Sequence, residues 1–116
     1  MRYSLFEPFS KMIDELPPKA VFTAVEKERQ MLEDDLAFER PLPVKEAVSI
    51  LNFCWFIGMS AMGESVSVVQ GSLPPNHVAF YERTIAKLVK AGQLPSTTKT
   101  EFDTAFRSKF QEQLAA

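Results

Sequence analysis

The chain has one cysteine, one histidine and four glycines, and each shortage closes off a class of chemistry. The lone Cys54 excludes an internal disulfide and fits a reducing, cytoplasmic setting. One cysteine and one histidine cannot build a zinc site of the usual kind within one chain. With so few glycines there is no GxGxxG or GxxxxGK[ST], hence no readable phosphate-cradling loop. A surplus of one charge is lacking too. Thirteen basic and fifteen acidic residues leave a net charge of −2, with no global pull toward nucleic acid or anionic lipid. Residues 1–40 hold six basic and nine acidic side chains and residues 77–116 hold six and four, neither of which is a DNA-binding footprint.

Long hydrophobic runs are likewise short of what a membrane requires. Ala47 to Gly63 is 17 residues without a charge, at the lower limit for a spanning helix. It contains Ser49, Asn52 and Ser60 and has no basic cluster at its far end, so a core helix is expected and no membrane contact. Near the start, Glu7 and Pro8 interrupt any apolar stretch of the secretory-signal kind.

What is present is apolar and aromatic. Hydrophobic residues make up 46% of 116, enough for a single domain, 1–116, that buries about two-thirds of its unfolded surface. Proline falls at Pro17-Pro18, Pro41, Pro43, Pro74-Pro75 and Pro95, each between periodic segments. The segments predict an all-α, bundle-like domain of about five helices around a long central one.

The first helix is expected over about 4–16, with a Ser4-x-x-Glu7 capping box and Leu5, Phe9, Met12, Ile13 and Leu16 on one face. The second is expected over about 18–38, with Val21, Phe22, Val25, Leu32 and Leu36 inward. The fourth, about 76–91, presents Val78, Tyr81, Ile85, Leu88 and Val89 and stops at Gly92. The fifth, about 98–114, opens on a Thr98/Glu101 capping box and presents Phe102, Ala105, Phe106, Phe110 and Leu114.

The central helix is expected over about 44–70, because Val44, Val48, Leu51, Trp55, Met59, Met62, Val66 and Val69 keep helical spacing through Gly58 and Gly63. Gly71 would then be its stop. The rival reading ends it at Gly63 and makes Ser65–Gln70 a short strand. Unwrapped at 3.6 residues per turn, this helix has four strips. The large apolar strip, Trp55 included, is expected in the core. Ile50, Phe53, Ile57, Ala61 and Val68 form a second apolar strip, so cover on two sides is expected. A seam of small residues, Ala47, Cys54, Gly58 and Ser65, predicts a close helix crossing near Gly58. The last strip holds Asn52, Phe56, Ser60 and Glu64, with Ser49 and Ser67. It reads as a solvent edge or, alternatively, as the wall of a ligand pocket.

Catalytic signals are weak. Cys54 sits among Phe53, Trp55 and Phe56, where a thiol behaves as a small hydrophobe. His77 lies in a helix entry without a visible partner. The acidic run Glu33-Asp34-Asp35 reads as a solvated helix face and lacks a calcium-loop spacing. No cofactor or metal is expected, and no enzyme activity. Ten phenylalanines, five methionines and one tryptophan point instead to apolar helix faces that meet a protein partner, with a second copy of the chain expected. The alternative is a small apolar ligand held beside the central helix.

Overall fold

The computed structural model describes residues 4–64 and 74–107. Among them it has five helices and no strand: α1 (Phe6–Glu15), α2 (Pro18–Ala37), α3 (Val44–Ala61), α4 (Pro75–Lys90) and α5 (Thr98–Phe102). A single π-helical turn, Asp103–Arg107, continues α5. The fold is all-α, and no described helix is long and apolar enough to cross a membrane.

Proline marks the starts. Pro18 opens α2, Pro43 precedes α3, and Pro74 and Pro75 lead into α4. A missing N–H costs nothing in a first helical turn. The stops share one geometry. After α3, the Gly63 N–H reaches the Ser60 carbonyl at 3.1 Å and the Glu64 N–H reaches that of Met59 at 2.9 Å. Gly63 stands at φ +73° to allow this. Gly92 repeats the motif after α4. The end of α2 uses it as well, but the left-handed position there is Glu39, at φ +53°.

The central helix is therefore shorter than its apolar spacing implies. It ends at Ala61, and Gly63 turns the chain out. Periodicity continued past a residue whose backbone is best suited to stopping a helix. The proposed strand at 65–70, the stop at Gly71 and the end of the fifth segment beyond 107 lie outside the described residues.

α1 is held at both ends by other helices. Ser4 Oγ accepts the Glu7 N–H at 3.3 Å, half of the expected capping box. The carboxylate that completes the cap comes from Glu46 of α3, which accepts from Ser4 Oγ (3.0 Å) and from the Leu5 N–H (2.8 Å). At the other end, Lys87 of α4 donates to the carbonyls of Ile13 (3.2 Å) and Leu16. An anion at the amide end and a cation at the carbonyl end both complement the helix dipole. The Thr98/Glu101 box does not form. Thr97 occupies the cap position of α5, and Glu101 accepts from Ser60 Oγ at 3.3 Å.

The core is aromatic. Phe53 of α3 stacks on Tyr81 of α4 at 4.2 Å between ring centres. Phe6 and Phe9 of α1, Phe80 of α4 and Phe102 of α5 meet this pair mostly edge to face. Offset and edge-on geometries suit the ring quadrupoles.

Candidate interaction surface and a buried polar network

The aromatic cluster decides which way α3 faces. Ile50, Phe53, Phe56 and Ile57 are fully buried. Ser49 and Ser60 are buried beside them, so the strip expected at the solvent edge turns inward. The large apolar strip turns outward. Val44 is 57% exposed, Trp55 45% and Met62 71%, with Val48, Leu51 and Met59 half-buried between them. Placing Trp55 in the core is thus corrected. Only one apolar face of α3 can lie on Phe6, Phe9, Phe80 and Tyr81, and the face with Phe53 does so.

Trp55 is bracketed on one side by α2. Its indole N–H donates to Glu33 Oε1 at 3.2 Å, and the Arg29 guanidinium lies 4.7 Å from the ring centre. Arg29 is itself paired with Glu26 and with Glu33, the latter at 2.7 Å. A cation over an indole face adds about 0.5–1 kcal/mol at an exposed site. The ring is therefore fixed in orientation while part of its surface stays open. An open groove of about 610 Å³ lies nearby in sequence on α2, lined by Phe22, Thr23, Glu26, Lys27 and Gln30.

The seam of small residues has a split outcome. Ala47 and Cys54 are buried. Gly58 makes no close crossing, since a Cβ built there meets nothing within 4 Å among the described residues. Ser65 lies outside the described residues. Burial pushes the Cys54 thiol well above its ordinary range, and the acidic side chains of α2 add to this. It is an inert core side chain.

The four pocket candidates do not share one wall. Phe56 and Ser60 are core, Asn52 is half-buried, and Glu64 is exposed just past the helix stop. Glu64 cannot line a pocket with the other three, because the chain has already turned outward at Gly63.

A polar network that sequence reasoning missed lies inside the core. Ser49 Oγ is 2.8 Å from His77 Nδ1 and 2.7 Å from the Tyr81 hydroxyl. One hydroxyl proton and two lone pairs let Ser49 serve both neighbours. Phe6 lies flat on the imidazole, 3.6 Å between ring centres. Burial lowers the His77 pKa to about 4, opposed in part by the Glu46 charge. Burial pushes the Tyr81 phenol well above its usual range. His77 is thus neutral at pH 7 and Tyr81 keeps its proton. A serine hydroxyl on a neutral imidazole is the local geometry of a nucleophile and its base. Here both groups are 2% exposed and a phenyl ring covers the imidazole, so substrate cannot approach. The network satisfies buried polar groups and joins α3 to α4. Its sequence signal was the four-residue spacing of His77 and Tyr81 on one helix face. Among the described residues, no group of three or more His, Cys, Asp or Glu side chains is placed to hold a metal.

Comparison of the chain with protein-family models, curated proteins and solved structures found no match.

Proposed function

We propose that this protein is a non-catalytic interaction module that self-associates through the outward face of α3. One observation carries the reading. The exposed side of the most apolar helix bears Val44, Trp55 and Met62 in a line, with Val48 and Met59 half-buried along it and Leu51 packed inward against the core. Scattered exposed apolar residues are ordinary, but a continuous row containing tryptophan and two methionines has the composition of an interface. A tryptophan already oriented by Arg29 and Glu33 loses little side-chain freedom on contact. A cytoplasmic location belongs to the same reading, since a lone buried thiol suits a reducing compartment.

Sedimentation equilibrium from ~1 µM to ~1 mM tests it, because a single helix face is a small interface and a weak one. The expected result is a mass that rises toward that of a dimer, and a Trp55→Glu variant that stays monomeric. A monomer throughout this range refutes the reading.

A further inference from the structure

Four side chains from α3 and α4 hold α1 against the rest of the fold. Glu46 caps its start, Lys87 takes the carbonyls at its end, and Arg83 pairs with Asp14 at 2.8 Å. The fourth is His77, on which Phe6 lies flat. Leu16 and Pro17, both extended, join α1 to α2, and Pro17 and Pro18 have no N–H to bond back to α1.

The helices beneath α1 are tied to each other without it. Ser49 of α3 bonds His77 and Tyr81 of α4, and Phe53 stacks on Tyr81. Removing α1 leaves those contacts in place and opens one face of the imidazole to water, because the ring stacked on that face is Phe6.

The groups that face His77 set the direction of its response. From α1 it meets the uncharged Phe6 ring, from α3 the Ser49 hydroxyl and the Glu46 charge, and from α4 the Tyr81 hydroxyl. Glu46 favours the imidazolium, but burial outweighs it and lowers the pKa to about 4 from an ordinary 6.5. Water at the open face relieves the burial cost. The form with α1 lifted therefore binds the proton more readily, and falling pH favours it.

We propose that α1 is an acid-released strap, which swings away about Leu16 and Pro17 as His77 takes a proton and leaves α2, α3 and α4 folded. Release uncovers the aromatic floor of Phe53, Phe80 and Tyr81 on which Phe6 and Phe9 rest. This floor is on the inward side of α3, so the strap does not rest on the self-association reading.

Native-state amide exchange at a series of pH values from 7 to 5, corrected for intrinsic rates, tests it on the whole chain. Amides 10–15 are expected to open at lower cost than those of α3, with a weaker dependence on added denaturant, since less surface is exposed. Their protection is expected to fall about 20-fold from pH 7 to pH 5, the factor implied by His77 values of about 4 with α1 closed and 6.5 with it open. His77→Gln is expected to abolish that fall while α1 still opens separately. Protection and denaturant dependence of α1 equal to those of α3 overturn the strap, because α1 then opens only with the whole fold. Separate opening that is independent of pH, or a fall that persists in His77→Gln, overturns the histidine as trigger. The unaltered protein decides this even if His77→Gln fails to fold, because the fall must begin near the ordinary imidazole pKa of about 6.5. A fall that begins only below about pH 5 belongs to carboxyl groups and overturns the trigger as well.

Discussion

Acid should destabilise this protein through one histidine, and the amount follows from its surroundings. His77 is stacked under Phe6, bonded to Ser49 and 2% exposed. Its pKa falls from an ordinary 6.5 to about 4, first because burial disfavours the imidazolium. The folded-state value lies below the unfolded one, so folding favours the neutral ring. The stability this provides is full at neutral pH, is lost as pH falls through 6.5, and levels off below about 4. At about 1.4 kcal/mol per pH unit of difference, the loss is about 2 kcal/mol between pH 7 and pH 5 and about 3 kcal/mol by pH 4. Against a total stability of about 5–15 kcal/mol that is a large share. His77 is the only histidine, and the other group that bears on the interval is Glu28, whose carboxyl is raised by burial and by the Asp35 charge. Urea unfolding at both pH values measures the loss directly. His77→Gln should lower stability at pH 7 but flatten the dependence between pH 7 and pH 5. An unchanged slope in the variant, or an imidazole that titrates near 6.5 by NMR, would refute the argument.

Three further outcomes follow from the geometry. Gly58→Ala should raise stability by about 0.5–1 kcal/mol, since a mid-helix glycine is replaced where a Cβ meets open space; a lower denaturant midpoint would show a close neighbour there. Glu39→Gly should also stabilise, by about 0.5–1 kcal/mol, by relieving a left-handed residue at the end of α2; a thermal melt that moves downward would contradict this. Glu46→Ala should cost about 1–3 kcal/mol through loss of the α1 cap, and should speed amide exchange at Leu5 before that of α4; exchange unchanged at Leu5 would show that the cap is dispensable.

The helices were legible in the sequence, and the orientation of the central one was not. Pro18, Pro43 and Pro75 restrict where helices begin, and Gly92 marks an end, all through local backbone chemistry. The stop at Gly63 is of the same kind, but apolar residues continue at helical spacing after it and obscure it. The inward face of α3 is a different matter. Both sides of that helix are apolar, and the choice rests on Phe6, Phe80 and Tyr81, which come from helices distant in sequence. The same holds for Ser49. Its polar strip looked like a solvent edge until His77 and Tyr81 supplied buried partners. Glu46 and Lys87 act on α1 from about 40 and 70 residues away, beyond any short-range pattern.

The most direct measurement of the central claim uses the chain's single tryptophan. Trp55 is 45% exposed in one copy and lies in the middle of the proposed interface. Its emission maximum should move to shorter wavelength as protein concentration rises from ~1 µM to ~1 mM, in step with the fraction dimerised, as the open part of the indole loses water. The Met62→Glu variant should keep the long-wavelength maximum throughout. An emission maximum independent of concentration in the unaltered protein would contradict pairing through this face.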